Sequence, residues 1–550
     1  MNRTLVGMKQ MILWIMLIGS VTYTDKTSAQ TAKNLQVIAM LDSLLQQYND
    51  NTPGFVINVV KDGLQVYSNA TGMADLERGS YLDTESIFEV ASVSKQFTAT
   101  AVLLLVAEGK ISLDDDVRRY VPRLPDYGKK ITVSNLLTHT SGLRDWRNVT
   151  YLTDYVNYTR VYNQEDALNI ICNQQKLNFE PGYKYSYSNS NYDLLALIVE
   201  QVSGQPFIDF ATERLLKPAG MTHSTWRNDH RTVIKNRALS YIGAKGSYKL
   251  LSPMDNTAGA AGLLSTATDL QKWNIFWKNK GFGDAVAELR VQQGVLNNGR
   301  KINYALGGVN VFDRDGLKLI THGGLLTAYR TLVSYYPELD LSITYCANTR
   351  EIIAPELVNK ILEIYRPTAK EQLKFTSLSK EGMQKRTGVY KNPEAQQVFT
   401  VELRNDTTLA FKGGSILRAV SDTEMRAADE IYDFLDDNSV RVADEDGHVV
   451  YKKVNAYTPA EKELATFVGK YQSNDANVGI SIEINEGSLR YTRNGYEWMV
   501  LKPSYQDDRI KAFSTIDNGL FTLLEFDTNN KMDLVISLPR ALGIAFRKQE

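Results

Sequence analysis

The sequence predicts an α+β protein. An antiparallel sheet is flanked by helices, a helical region is inserted between its strands, and two small antiparallel β-barrels follow. Three observations predict this. Strand patterns lie at both ends of the region before residue 367 and bracket a helical middle. Beyond it, strand-and-turn patterns dominate and two stretches echo one another. The chain has 550 residues, whereas one hydrophobic core stops growing at roughly 250–300, so several domains are expected.

Residues 1–30 stand apart from the rest. Arg3 and Lys9 precede an apolar run from Met11 to Val21, and small and polar residues follow, ending Thr27-Ser28-Ala29-Gln30. The run is too short to cross roughly 30 Å of hydrocarbon. Its flanks read as a cleaved secretory signal, with cleavage after Ala29 or Gln30; the alternative is an uncleaved membrane anchor. No Cys lies nearby, so a lipid anchor is not supported. The expected location is periplasmic or extracellular, with no stable membrane span after cleavage.

One large domain is expected over 31–367. Residues 34–48 repeat apolar positions at helical spacing. Two strand patterns, 55–60 and 64–67, flank Asp62-Gly63, a hairpin signal. A helix is expected from about 92 to 108, with Phe97, Ala101, Leu104 and Leu105 on one face and Gly109 as its stop. Residues 113–265 read as helices and long loops, including a helix over 193–202 closed by Gly204. Strand patterns return at 309–312, 317–321, 331–336 and 341–345, and a helix over 354–365 ends before Pro367. The first strands are expected to pair with the last. Residues 368–380 read as a polar linker.

The two barrels are expected over 381–457 and 458–550. Gly388-Val389-Tyr390 is followed by alternating Phe399, Val401 and Leu403, then a turn and Leu409. Gly469-Lys470-Tyr471 is followed by alternating Ile480, Ile482 and Ile484, then a turn and Leu489.

Composition narrows the function. Apolar residues make up 43% and charged residues 23%, ordinary for a soluble globular protein. Lys+Arg number 62 and Asp+Glu 63, so nothing in the net charge points to nucleic acid or an anionic membrane as partner. Cys172 sits in a helical pattern and Cys346 in an apolar strand pattern; two buried thiols are favoured over a disulfide. The five His are scattered and no HExxH or CxxC occurs, so neither a metal nor a cofactor is called for.

Three short motifs carry chemistry. Ser92-Val93-Ser94-Lys95 has the form S-x-x-K, which on a helix sets an amine beside a hydroxyl. Serine attacks only when a neighbour takes its proton, and lysine can do so only when desolvated or crowded by cations. Alone the motif is weak, since Ser377-Leu378-Ser379-Lys380 also fits; that copy falls in the linker. Tyr187-Ser188-Asn189, a Y-x-N, follows Glu180-Pro181-Gly182 and precedes an apolar helix. A phenol near an ammonium ionises more easily, so Tyr187 and Lys95 are expected to share a proton. Tyr155-Val156-Asn157 also fits but lacks that context. His322-Gly323-Gly324 stands at the end of a strand, where the Leu325 N–H can join that of Ser92 as an oxyanion hole. Lys412-Gly413-Gly414 competes but lies in the first barrel. Each motif has a bland alternative: a helix start, a Tyr- and Asn-rich surface loop, a strand-end turn.

Taken in order, Ser92-x-x-Lys95, Tyr187-x-Asn189 and His322-x-Gly324 resemble the serine β-lactamase and penicillin-binding-protein superfamily. The likeness is greatest to the class C branch with its D-aminopeptidases, D-alanyl-D-alanine carboxypeptidases and esterases. Segments 136–143 and 262–270 support it, and it covers about residues 35–365. It implies a β-lactamase-like sheet-and-helix fold and two-step acyl transfer from a peptide or other small substrate to Ser92 and then to water. Ser92 would be the nucleophile, Lys95 and Tyr187 the proton carriers, and Asn189 would orient Lys95 and a substrate amide. His322, Gly324 and Leu325 would line the substrate site. His139 resembles a position that supports the fold behind the site, and Ser141 is not expected to react. The departure is His322, where β-lactamases carry Lys: a mostly neutral imidazole replaces a fixed cation, which favours peptidase or esterase over dedicated β-lactamase. The alternative is a penicillin-binding sensor that acylates without efficient turnover. Some D-aminopeptidase-like members carry lipocalin-like barrels, so one reading has a barrel loop narrowing the site, and the alternative has the barrels docking partners or holding chains together. The oligomeric state is left open.

Overall fold

The protein was analysed as a computed structural model. It describes residues 30–549, apart from 44–45, 47–50, 154–159, 245, 254, 315, 352–353, 367–373, 393–396, 406–407, 413, 428–429, 445–446, 496, 518–519 and 530–532. The expected signal segment with Arg3 and Lys9, the Tyr155-x-Asn157 copy and the start of the linker lie outside the described residues. Among the described residues no helix is long and apolar enough to cross a membrane.

The centre of the first domain is an eight-stranded antiparallel sheet. Its strands are β1 (Phe55–Lys61), β2 (Leu64–Thr71), β3 (Gln293–Val295), β4 (Lys301–Ala305), β5 (Val309–Arg314), β6 (Leu317–Leu326), β7 (Tyr329–Tyr336) and β8 (Leu341–Ala347), ordered β3-β4-β5-β6-β7-β8-β1-β2. The first strands do pair with the last, Phe55 opposite Ala347 and Val56 opposite Cys346. Alternation along β1 sends Phe55, Ile57 and Val59 to one face and Val56 to the other. On the first face lie the helix over 30–43, through Val37 and Leu41, and the helix Ala354–Tyr365, through Leu357 and Ile361. The helical body covers the second face.

At the heart of that body is α1 (Ser94–Ala107). Its residues from Ser94 to Leu105 are all buried, so it is packed all round rather than along the one face its spacing suggested. Phe97 stacks on Trp273 with ring centroids 4.1 Å apart. Beside it runs α2 (Asn189–Ser203), closed by Gly204 in the left-handed conformation. This helix begins four residues before its expected start, because Asn189 and Ser190 already belong to its first turn. Cys172 and Cys346 are unpaired.

Beyond the first domain, Ser379 caps a short helix, Lys380–Arg386, through Gly382 N–H. The second S-x-x-K therefore straddles a helix start, but Met383 of that helix packs into barrel core. The first barrel runs from β9 (Gly388–Lys391) to β10 (Gly447–Ala456) and closes by their pairing, Val389 opposite Val454. The second runs from β11 (Gly469–Ser473) to β13 (Ala541–Lys548) and closes where Tyr471 meets Lys548. Between them, the end of β10 pairs with β12 (Lys502–Gln506). The echoing segments do the same work twice. Tyr390 donates its hydroxyl proton to Arg386 O and Tyr471 to Phe467 O, each four residues back. A Lys side chain crosses each preceding glycine: a Cβ on Gly388 would lie 2.4 Å from Lys453 Cε, and one on Gly469 2.7 Å from Lys548 Cε.

Candidate functional site

The approach to Ser92 is rigid. Val90 N–H donates to Leu263 O, Glu89 is locked to Arg227 in a fully buried ion pair, and Ala91 takes a φ of 50°, uncommon for a residue with a Cβ. Ser92 then lies in a single 3-10 turn leading into α1. One turn on, Lys95 Nζ is 3.2 Å from Ser92 Oγ, 2.9 Å from Asn189 Oδ1 and 2.9 Å from Ala260 O. Burial pushes the Lys95 pKa well below that of an ordinary lysine; Asp193 opposes this and Arg147 assists it.

The orientation of Asn189 is fixed by Asp145, which the sequence reading missed. Asp145 Oδ2 accepts from both the backbone N–H and Nδ2 of Asn189, at 2.7 and 2.8 Å. The amide oxygen must therefore face Lys95. Asp145 also caps the helix Trp146–Thr150, and a capping Asp carries no motif that would separate it from any other helix start. Tyr187 lines the pocket together with Ser92, and its ring lies 4.8 Å from Lys95 Nζ. Burial raises the phenol to about 12, against the smaller lowering influences of Ser92 and Arg540. The apolar surroundings thus outweigh the nearby cations at Tyr187, opposite to the easier ionisation expected from a neighbouring ammonium.

Behind Tyr187 stands His139. Its ring is 4.3 Å from that of Tyr187 and 4.6 Å from that of Tyr304, and Nδ1 accepts from Ser188 N–H at 3.2 Å. Burial holds its pKa well down. It is a neutral packing element. Ser141 donates to Asn191 Oδ1 at 2.7 Å and is buried, away from the pocket.

The third wall is β6. His322, Gly323 and Gly324 lie inside this strand, not at its end, because pairing with β7 continues to Leu326 opposite Tyr329. A Cβ on Gly324 would stand 2.2 Å from Val90 O and 3.3 Å from Ala91 Cβ. Only glycine lets the strand close on the residues before Ser92, which sets Leu325 in the same pocket wall as Ser92. His322 Nδ1 lies 2.7 Å from Gly323 O and Nε2 3.0 Å from the Tyr304 hydroxyl. A carbonyl only accepts, so the proton is on Nδ1 and Nε2 takes the Tyr304 proton. Burial, aided by the nearby Lys95, lowers His322 to about 3. It is neutral in use.

The second barrel completes the pocket. Pro539 and Arg540, at the tip of the hairpin before β13, line it together with Ser92, Tyr187 and Asn189. Arg540 lies 4.6 Å over the Tyr187 ring. Its carbonyl accepts from Asp145 N–H at 2.9 Å and its N–H donates to Asn148 Oδ1 at 3.0 Å. The docking is buried: Arg144 reaches Asp475, Leu542 O and Gly543 O, and Val149 and Leu152 of the first domain join the barrel's core. The resemblance pointed to a barrel loop here; nothing in the sequence singled out Arg540. The enclosed space is about 740 Å³, in the range of small-ligand sites. Ser92, Lys95, Tyr187, Asn189, His322, Gly324 and Leu325 are thus brought to one place, although they span more than two hundred residues of sequence.

Comparison with known proteins agrees with this architecture. The β-lactamase family model matches residues 41–363. Penicillin-binding protein 4* of Bacillus subtilis (strain 168) is 29% identical over 301 residues, covering 52% of this chain and 66% of that protein. The chain thus spans just under two-thirds of that relative's length. In fold, it is similar to the octameric penicillin-binding protein homologue from Pyrococcus abyssi, with TM-score 0.54, 20% identity and coverage of 93% of this chain and 99% of that one. It is also similar to the D-amino acid amidase from Ochrobactrum anthropi SV3, with TM-score 0.50, 21% identity and coverage of 60% and 98%. By a family match over more than half its length, joined to this fold, the chain belongs to the β-lactamase family of serine hydrolases and penicillin-binding proteins.

Proposed function

We propose that this chain is an exported hydrolase that forms an acyl-enzyme on Ser92, acting on D-amino-acid-containing peptides, esters or β-lactams, with peptidase or esterase work ahead of dedicated β-lactamase work. One observation carries the reading: Lys95 Nζ lies 3.2 Å from Ser92 Oγ. Asn189 Oδ1 and Ala260 O each accept an N–H from it, and burial lowers its pKa, so that once neutral it is placed to take the Ser92 proton.

In this reading Ser92 Oγ bonds to the substrate carbonyl carbon as its proton passes to Lys95 Nζ. The oxyanion is held by the N–H groups of Ser92 and Leu325. Tyr187 gives its proton to the leaving nitrogen or oxygen as that bond breaks, and regains one from Lys95. Water then attacks the acyl group, losing a proton to the same pair, and Ser92 leaves with its own restored. A neutral His322 offers no fixed charge for a substrate carboxylate, which supports placing β-lactams last.

Labelling with a fluorophosphonate or a fluorescent penicillin, followed by mass spectrometry, tests it. The adduct is expected on Ser92 and absent in Ser92→Ala. An adduct elsewhere, or one that survives that substitution, would falsify the reading. Acylation without turnover on D-peptide, ester and β-lactam would replace it with the sensor.

A further inference from the structure

We propose that the end of the pocket remote from Tyr187 binds a carboxylate on the acyl half of the substrate, through Arg330 and Arg350. The inference rests on the Ser92 acyl-enzyme reading.

Strands β6 and β7 are joined by a tight turn in which Thr327 takes a φ of 50°. The Thr327 hydroxyl pairs with Ser240 and Leu326 O, which holds that conformation. The Thr327 carbonyl then accepts from Arg350 Nε at 2.9 Å. Arg330 Nη1 donates to Tyr329 O at 2.7 Å and lies 3.5 Å from the same Thr327 carbonyl. The two guanidinium groups are thus held close together around Thr327, and both line the pocket. Such a pair is repulsive. Burial, and then the charge of Arg350, lower Arg330 to about 10, so it stays protonated at neutral pH. Four arginines line the pocket, Arg147, Arg330, Arg350 and Arg540, and among its described lining residues there is no Asp or Glu. Arg147 is held by Asp255. Neither Arg330 nor Arg350 has an ion-pair partner among the described residues. A carboxylate between two such forks accepts charge-assisted hydrogen bonds and removes the repulsion.

The position assigns the half of the substrate. The rings of Tyr187 and His322 are 6.3 Å apart, so the leaving group, which takes the Tyr187 proton, lies at the His322 end of β6. The carbonyl oxygen sits at Leu325. The rest of the acyl group then runs on toward Thr327, and Arg330 pairs directly across from Leu325. The arginine pair meets the far end of that acyl chain.

The test compares two p-nitrophenyl esters of equal length, the hexanoate and the adipate half-ester, by nitrophenol release, which reports acylation whether or not turnover follows. The native protein is expected to favour the adipate at least tenfold in kcat/KM, with the preference shrinking as salt is added. Arg330→Gln and Arg350→Gln are each expected to bring the ratio near one. Arg350 is exposed, so Arg350→Glu should fold and is expected to invert the ratio. Equal rates in the native protein, or a preference that survives both Gln variants, overturn the proposal while leaving the hydrolase reading intact. Release from neither ester, together with no fluorophosphonate adduct on Ser92, rejects the hydrolase reading itself.

Discussion

In the proposed acyl-enzyme reading, Lys95 is the residue on which the chemistry turns. Burial lowers its pKa, so its role as a base would depend on the folded pocket excluding water from it. Lys95→Ala and Tyr187→Phe are each expected to lower kcat/KM at least about a hundredfold, the lower range for loss of a general base or acid. Lys95→Arg is expected to do no better, since a guanidinium does not give up its proton. If the proposed reading holds, the active form is the neutral amine, and kcat/KM in the native protein should fall as pH drops through the folded pKa of Lys95, which burial lowers; a pH profile with no acidic fall attributable to Lys95 would contradict this. His322 gives a stability signature of its own. Its folded pKa is about 3 and its unfolded value about 6.5, so the unfolded state gains the proton first. Its contribution is whole above pH 6.5 and is lost as pH falls toward 3. His322→Gln should flatten the decline in the urea midpoint over that window. At this scale the sequence was generous: Ser92, Lys95, Tyr187, Asn189 and His322 stood in recognisable motifs. Asp145 and Arg540 did not. One looks like any helix cap and the other like any turn arginine, and only tertiary contact gives either a role.

Among elements, strand β6 shows how pattern and packing differ. Alternation of apolar residues breaks at His322-Gly323-Gly324, so the strand reads as ending at residue 321. Backbone pairing with β7 does not depend on side chains and carries it to Leu326. The glycines mark close approach instead of a terminus. Gly324→Ala should push β6 away from Val90, displacing Leu325 N–H; a loss of about a hundredfold in kcat/KM is expected, with far-UV circular dichroism unchanged. Helix α1 was legible in extent but not in burial, because its Ser, Thr and Gln face inward onto polar partners: Thr98 donates to Gly259 O, and Gln96 Oε1 lies 3.4 Å from Trp273 Nε1. Strands β3 and β4 went unread, being short and flanked by polar residues.

The whole molecule is more unified than its sequence divisions suggest. A polar stretch after residue 367 reads as a boundary, and echoing Gly-x-Tyr segments read as two barrels, yet one barrel is built into the first domain's wall. That docking brings together Arg144 and residues about four hundred positions on, a distance over which sequence pattern is silent. Arg144 and Asp475 are 1% and 14% exposed, and Arg144→Ala would leave Asp475 and two carbonyls without their donor. A loss of about 3 kcal/mol in urea unfolding is expected. A change under about 0.5 kcal/mol would show that the contact is only superficial.

The shared use of Asp145 has a consequence in time. Its carboxylate aims Asn189, while its N–H grips the carbonyl of Arg540. Ser92 leaves the ribosome hundreds of residues before Arg540 does. On the proposed reading, a nascent chain thus holds Ser92, Lys95 and strand β6 long before the last wall of their pocket arrives. Hydrolytic competence would then be a late event in maturation, and recovery of activity on refolding should lag behind recovery of the helices.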